Sequence, residues 1–586
     1  MALRLPIPVA MDTDPDPLTW PTRAAGLGQA SNSISSDTLE LELDDDERRL
    51  FNSLTKAAKA LEEGTLKSLQ GNPDKKKSVQ IRVAGGWVRD KLLGLTTHDV
   101  DVALDTCTGV EFAHAVKEYI TDFEQDKADD RKEKKCGKIG VIAANPAQSK
   151  HLETATMKLH GIEVDFSNLR HETYAEDSRI PTTVIGTPFE DSYRRDFTMN
   201  ALYYNLQTKQ VEDWTRRGLK DLLQTKLVVT PLDAYQTFHD DPLRVLRAIR
   251  FAVRFDMTLS QDIIKSSMDP QIHQELHRKV SRERVGKELE GMLSGKHANP
   301  QKALQLICDL HLAGGVFCVP GTTVRTRGTI GQARLEQVPY AGATPDELAH
   351  LRQIAWEEAG ECLLALPDLL DSFSVSKGSR TPIDRRLVFL ATVLLPYERL
   401  QYEEKTKVKY VAEYMMRDGI KFKNKDVVGI VTIVQHLDDM VQLMQRLPES
   451  SSSARLQAGL LLRNTKDLWT TLLIVATVAL IRRAKDDSAV DWKSRAKEWY
   501  TTIIDGLGLE DCWTVKPLMN GKQLIQELGL EKGPQVGLYN QEQLHWMLLN
   551  PNGTLQECNV HLKNFQKQQE LEQDQAAQHI SKKMHL

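Results

Sequence analysis

The sequence predicts an α/β head, built on a small mixed sheet, followed by an all-α neck, body and tail. Three observations carry that expectation. Val79 to Ala84 and Asp99 to Leu104 alternate as strands do, with a Gly85-Gly86 turn between them. Ile139 to Ala143 and Ile162 to Phe166 are further strand-like runs. From about residue 300 onward the chain reads as helical. A length of 586 residues suits about three or four domains or sub-domains. The expected division is 1–45 disordered, 46–230 head, 231–300 neck, 301–565 helical body and tail, and 566–586 a polar C-terminal tail.

Residues 1–45 are poor in aromatics, contain Pro6, Pro8, Pro15, Pro17 and Pro21, and turn acidic at Asp44-Asp45-Asp46. That composition predicts disorder. Met11 is a second candidate start, and Asp12, Asp14 and Asp16 argue against a strong organellar presequence. Leu50, Leu54, Ala57 and Leu61 mark a helix that ends near Gly71-Asn72-Pro73-Asp74.

The chemistry concentrates in the head. Alternation puts Asp99 and Asp101 on one strand face, about 7 Å apart at their Cα atoms, with Val100, Val102 and Leu104 on the core face. Two carboxylates side by side repel unless a cation sits between them. Hard divalent ions take such oxygen ligands together with substrate phosphates. Gly85 and Gly86 allow close backbone approach to an anion, and Arg89 offers a guanidinium fork. A lone Asp-x-Asp also occurs on plain exposed strands, so its surroundings decide. Asp165, on the polar face of the later strand, is a candidate third carboxylate; an exposed acidic strand residue would look the same. The charge run 122–135 reads as a solvated insertion, and Tyr174 to Asp191 as a mobile loop. Arg194-Arg195-Asp196, followed by an apolar stripe, fits a helix N-terminus facing a triphosphate, or a plain capped surface helix.

In the neck, Pro242 suits a first helical position and makes Asp241 the expected N-cap. Asp241 could instead accept from the exocyclic amino group of cytosine or adenine, with Arg244 one turn on as donor. Arg247, Arg250 and Arg254 continue a basic stripe, suited to RNA phosphates or to solvent. Beyond residue 300 the clearer helices include Val427 to Arg446 and Asp467 to Ala484, and Gly321 to Thr344 is a polar excursion. The net charge of −5 confines any nucleic-acid binding to local patches, such as Lys405 to Lys409 and Lys421 to Lys425. Seven scattered cysteines without a Cys-x-x-Cys pair argue against zinc and for a reducing compartment. No run reaches the ~18 apolar residues of a membrane span; Leu468 to Ile481 comes nearest and reads as a buried helix.

Gly85-Gly86-Trp87-Val88-Arg89-Asp90, Asp99-Val100-Asp101 and Arg194 to Leu202 resemble the head motifs of class II CCA-adding enzymes and bacterial poly(A) polymerases. Glu212-Asp213 with Gly218 to Leu222, Asp240-Asp241-Pro242-Leu243-Arg244, and Ser281 to Leu289 resemble the motifs that follow, in family order. Asp240 stands where the family usually has Glu. Pro517 to Lys522 and Lys532 to Gly537 resemble the tail of eukaryotic, fungal-like members.

The resemblance implies a head of the polymerase-beta nucleotidyltransferase type. The implied reaction is untemplated addition of CCA to tRNA 3′ ends from CTP and ATP. Asp99 and Asp101 would hold two magnesium ions, and Asp165 would help activate the attacking hydroxyl. Gly85, Gly86, Arg89, Arg195, Asp196 and Asn200 would hold triphosphate and ribose. Asp240, Asp241 and Arg244 would read the base, and Arg247, Arg250 and Arg282 would meet RNA. The loop containing Tyr174, Arg179, Pro181 and Gly186 would serve the switch to ATP. The expected partners are tRNA and the two nucleotides, with no membrane, for a monomer of cytoplasm and nucleus with a mitochondrial form. The alternatives are CC-only or A-only addition, poly(A) synthesis, and an inactive RNA-binding protein.

Overall fold

The computed structural model describes the chain except residues 1–15, 24–38, 70–75, 98, 125–136, 143–152, 174–180, 320–323, 327–344, 375–381, 406, 485–489 and 585–586. The turn expected at Gly71 to Asp74, most of the charge run, and Tyr174 and Arg179 therefore lie outside the described residues. Two compact units divide the chain, Met1–Asn299 and Pro300–Leu586.

The first unit opens with β1 (Leu18–Arg23) and β2 (Leu39–Glu40), then α1 (Asp45–Glu63). Next come β3 (Ile81–Ala84), α2 (Gly86–Leu92), β4 (Asp99–Leu104), α3 (Gly109–Tyr119), β5 (Gly140–Ile142), β6 (Thr154–Leu159) and β7 (Ile162–Asn168). A hairpin of β8 (Arg170–Thr173) and β9 (Thr182–Ile185) leads to α4 (Pro188–Tyr193), then β10 (Leu202–Asn205) and β11 (Gln210–Asp213). The strands form one mixed sheet in the order β2-β1-β11-β10-β3-β4-β7-β6-β5, with β8 and β9 as a separate pair.

Two expectations change here. The segment expected to be disordered supplies β1, which pairs antiparallel with β11 from Leu18↔Asp213 to Pro21↔Gln210. Strand pairing with an otherwise open sheet edge outweighs the prolines. The described half of the expected mobile loop is ordered as β9 and α4. A Thr187 cap and Pro188 at its first turn start α4, with Glu190 closing the capping box.

The sheet's two faces differ as the alternation requires. Val100, Val102, Leu104, Val164 and Phe166 are buried on the helix-covered face, where Phe112 of α3 meets Phe166 edge-on at 5.7 Å. Leu50 and Leu54 of α1 complete that layer. The other face carries a small apolar cluster of Ala84, Ala103, Leu169 and Tyr203. Its polar positions are left for the site.

The neck follows with α5 (Ala234–Asp240), α6 (Leu243–Arg254), α7 (Gln261–Ser267), α8 (Pro270–Lys279) and α9 (Arg282–Leu293). A short parallel pair, β12 (Leu227–Val228) and β13 (Thr258–Leu259), brackets α5 and α6 in sequence. The second unit is helical as expected and also carries a small three-stranded sheet, β14 (Val324–Thr326), β15 (Leu400–Glu404) and β16 (Lys407–Tyr410). The sheet comes partly from the polar excursion, whose short runs carry little periodic signal. The helix Asn424–Gln445 is apolar and long enough to cross a membrane, but just over half of its most apolar window is buried in the unit. It packs against Trp469–Ala484.

The N-terminal helix is fastened by a buried acid. Asp44 and Glu47 form a capping box, with reciprocal bonds of 2.8 and 2.9 Å. Glu47, 1% exposed, also accepts from Trp87 Nε1 at 3.0 Å and from Lys91 Nζ at 2.7 Å. Breaking a buried pair on one side leaves the other charge uncompensated. Glu47→Ala should therefore cost about 3–5 kcal/mol of stability in chemical denaturation, with catalysis per folded molecule unchanged. A loss under about 1 kcal/mol would mean that the pair behaves like a surface ion pair.

Candidate active site

The carboxylates come together through strand register. β4 and β7 run parallel, and Asp101 lies directly opposite Asp165, with Asp99 opposite Glu163. Asp99, Asp101 and Asp165 thus share one face on two adjacent strands. Asp99 and Asp101 are exposed, and Asp165 is half-buried.

Several other head acids are held by donors within the fold. Glu212 takes Arg82 at 2.7 Å and Asn205 at 2.8 Å. Asp221 accepts from Thr198 at 2.8 Å and pairs with Arg217. Asp213 accepts from Thr215 and the Leu219 N–H. Asp99, Asp101 and Asp165, by contrast, form no side-chain hydrogen bond or ion pair among the described residues. Desolvation, then the Asp99 charge, raise the Asp101 carboxyl above the ordinary carboxylate range, and Arg195 and Arg170 oppose this. Among the described residues no three His, Cys, Asp or Glu side chains form a group that could hold a metal ion. An open carboxylate pair fits a divalent ion whose remaining ligands come from substrate and water.

Around this face stands a buried arginine cluster. Gly85 has φ +63, and a Cβ there would sit 2.8 Å from Arg195 Nη1, so the glycine makes room for that guanidinium. Gly86 opens α2, and a Cβ there would meet only Arg89, at 3.7 Å. Arg195 bonds Asp191 Oδ2 through Nε at 3.1 Å and Nη2 at 2.9 Å, and the Asn200 carbonyl at 3.2 Å. Arg194 holds Asp191 Oδ1 and reaches Glu172 of β8 at 3.0 Å. Arg170 has a buried Nε without a hydrogen-bond partner.

Sequence reasoning missed Asp191, Arg170 and Tyr203. The spacing of Asp191 to Arg194 and Arg195, three and four residues, was the available signal. The helix expected to begin at Asp196 is absent: Thr198–Asn200 is a single 3₁₀ turn and Leu202 already begins β10. Asp196 instead caps the Phe197 N–H, accepts from Asn200 at 2.9 Å and pairs with Arg247 at 2.7 Å. Burial pushes its carboxyl up, but Arg247 and Asn200 outweigh that and bring it down to about 2.

Arg89 also departs from its expected place. It is buried, bonds Asp90 at 2.8 Å and Asn200 Oδ1 at 2.5 Å, and lies over Phe251 and Phe255 at 5.0 and 4.6 Å. Arg89, Asp196 and Asn200 therefore serve the frame beneath the site rather than a free phosphate cradle. The basic stripe is likewise engaged in ion pairs within the chain, while Arg247 and Arg254 keep 33% and 39% of their side chains exposed. Arg247 pairs with Asp196, Arg250 with Glu288 at 2.5 Å, and Arg254 approaches Asp90 at 3.7 Å. Of the residues expected to meet RNA, Arg247 and Arg250 are therefore both engaged in ion pairs within the chain. Arg282 opens α9 and is half-buried.

At the neck, Asp240 is buried and accepts from Gln236 at 2.7 Å, which corrects its base-reading assignment. Asp241 ends α5, and Pro242, not Asp241, occupies the N-cap of α6. The Asp241 carboxylate still takes the Leu243 N–H at 3.2 Å and holds Arg284 of α9 at 2.7 Å. Arg244 donates to the Arg194 carbonyl at 2.8 Å. Pro181 is buried beside β9, and Gly186 lies where a Cβ would meet the His171 backbone at 2.6 Å.

Residues 81–228 match the family model of the Poly A polymerase head domain. The chain is 36% identical to the CCA tRNA nucleotidyltransferase, mitochondrial, of Saccharomyces cerevisiae, over 84% of this chain and 89% of that protein. It is 32% identical to tRNA nucleotidyltransferase cca2 of Schizosaccharomyces pombe, over 89% of this chain and 98% of that one. Among solved structures, the Thermotoga maritima CCA-adding enzyme complexed with tRNA covers 89% of this chain and 95% of its own, at a TM-score of 0.52 and 19% identity. That likeness is one of fold.

The unpaired carboxylates yield a prediction with a fixed sign. A carboxyl whose folded-state pKa is raised costs stability as pH rises through the window above its unfolded value. In metal-free buffer at neutral pH, Asp101→Asn should therefore melt above the wild type, and the difference should close as pH falls below the carboxylate range. The same variant should lose at least about 100-fold in nucleotide transfer, since even outer-sphere partners of a metal ligand are worth 10–100-fold. A lower melting temperature together with near-normal turnover would remove Asp101 from the metal site.

Proposed function

The chain belongs to the CCA tRNA nucleotidyltransferase family, and from that premise we propose that it adds CCA to the 3′ end of tRNA, using CTP and ATP without a nucleic-acid template. The observation that carries the reading is the cluster of Asp99, Asp101 and Asp165 on two adjacent strands, without ion-pair partners among the described residues and beside Arg195.

Asp99 and Asp101 would hold two magnesium ions, which would supply charge neutralisation of the triphosphate and favour ionisation of the attacking hydroxyl. Asp165, level with Asp101 on the neighbouring strand, orients the tRNA 3′-hydroxyl and receives its proton. Arg195 donates to triphosphate oxygens with the N–H groups that Asp191 and Asn200 leave over; a guanidinium has five. Arg170 adds a second positive charge on the same side.

Base choice rests on Asp241 and Arg244. Asp241 is held by Arg284 and the Leu243 N–H, yet a carboxylate has about four acceptor sites, so it can still take an exocyclic amino proton. Arg244 keeps donors beyond the one on the Arg194 carbonyl. Cytosine and adenine offer the amino donor, whereas uracil and guanine place a carbonyl there. Relatives from Saccharomyces cerevisiae and Candida glabrata are named mitochondrial, which supports a mitochondrial form of this enzyme beside cytoplasmic and nuclear pools.

The function is tested by incubating the full chain with tRNA lacking CCA and with CTP, ATP or both, then sequencing the 3′ ends. Ends reading CCA are expected. Products stopping at CC, adding only A to CC ends, or carrying long A runs would point to the partial-specificity and poly(A) alternatives.

Base reading is tested at Asp241. Asp241→Asn and Asp241→Arg should lose about 10- to 100-fold in CTP and ATP efficiency, the worth of one good base contact, and Asp241→Arg should gain use of UTP or GTP. If the carboxylate only caps α6 and anchors Arg284, both variants will lose stability by about 1 kcal/mol and keep wild-type selectivity. Unchanged selectivity would remove Asp241 from base reading.

A further inference from the structure

Asp191 lies behind the site, 1% exposed, and collects more donors than any other carboxylate of the head described above. Its Oδ1 accepts the Arg170 backbone N–H at 2.9 Å and Arg194 at 2.8 and 2.6 Å. Its Oδ2 accepts Arg195 at 3.1 and 2.9 Å and the Tyr203 hydroxyl. We propose that Asp191 is the positioning residue of the reaction: it fixes the Arg195 guanidinium in the orientation that meets the nucleotide triphosphate.

The argument begins with charge. Arg194 and Arg195 are adjacent in sequence and both largely withdrawn from water. Two guanidiniums so placed repel, and each would turn away without a shared anion. Asp191 is that anion, reached from one turn earlier in α4. Burial works against its ionised form, but the two arginines and the Tyr203 hydroxyl prevail and hold the carboxyl well below its usual range. Tyr203 stays protonated as a donor, because burial raises its pKa. Its ring also lies under the Arg195 guanidinium at 5.1 Å.

The geometry then divides the Arg195 donors. Nε and one Nη2 proton go to Asp191, and one Nη1 proton goes to the Asn200 carbonyl. One proton on each terminal nitrogen is left, a fork suited to two phosphate oxygens. A neutral amide at position 191 offers one acceptor oxygen for both arginines and turns its own N–H donors toward one of them. The fork would lose its bearing even though the fold persists.

The inference rests on the reading that Arg195 binds the triphosphate, and the test separates the two. The full chain is compared as wild type, Asp191→Asn, Arg195→Lys and the double variant, measuring the KM for CTP, the KM for tRNA, kcat and the melting temperature. Asp191→Asn should raise the CTP KM about tenfold or more, the scale of a charge-assisted bidentate contact, and leave the tRNA KM near wild type. Arg195→Lys should do the same, and the double variant should be no worse than Arg195→Lys alone, because Asp191 acts through that side chain. Additive losses in the double variant would overturn the proposal, as would a lowered melting temperature with an unchanged CTP KM. An unchanged CTP KM in Arg195→Lys would overturn the site reading and this inference with it; a raised KM there but not in Asp191→Asn would overturn the inference alone. Should Asp191→Asn fail to fold, Asp191→Glu keeps the charge and moves it by one methylene. A raised CTP KM with a near-wild-type melting temperature is then expected, and a wild-type KM would overturn the proposal.

Discussion

Charge balance along α6 is the constraint on which the first unit depends. Arg247 meets Asp196, Arg250 meets Glu288, and Arg254 approaches Asp90. Arg89 enters the same seam from α2, stacked on Phe251 and Phe255 of that helix and its end. The contacts with Asp196 and Asp90 join the sheet-bearing head to α6, and the Arg250–Glu288 pair ties α6 to α9 within the neck. Partly buried cations are favoured by acids facing them, and three acids on separate segments, Asp90, Asp196 and Glu288, supply them. The seam holds the segment carrying Arg194 and Arg195 against the segment carrying Asp241 and Arg244.

Compensation elsewhere gives the uncompensated places their meaning. Glu47, Asp191, Asp196, Glu212, Asp213 and Asp221 all have donors within hydrogen-bonding distance. Among the described residues Asp99, Asp101 and Asp165, with Glu163 opposite Asp99, have no such donors, and they sit on two adjacent strands of one sheet. Repulsion stored in such a place is relieved by something brought from outside.

Much of the head was legible because strand alternation is a strong signal. The period of two put Asp99 and Asp101 on one face, and the same alternation marked Asp165. What alternation cannot give is register between strands, and it is the parallel pairing of β4 with β7 that sets Asp165 level with Asp101. The arginine stripe shows the opposite case. Its spacing was plain, but a helical period says which residues share a face and nothing of what that face meets; Glu288 lies far along the chain and Asp196 earlier. Asp191 went unnoticed because it stood inside a stretch read as a loop for its Pro181, Gly186 and Pro188. Those residues shape a strand end and a helix start instead. β1 was hidden because Pro21 within it and Pro15 and Pro17 before it outweighed its strand formers until β11 was present to pair with it.

The stacking of Arg89 on the neck aromatics has a consequence for inheritance. A substitution at Arg89, Phe251 or Phe255 shifts the support of the phosphate side and of the base side together, since both hang from one seam. If the proposed roles of Arg195 and Asp241 hold, fidelity and speed are pleiotropic traits of a few shared positions. A lineage that drifts at this seam alters both at once. One that tunes either trait alone must do so at residues such as Arg284, which touches Asp241 without touching Arg89.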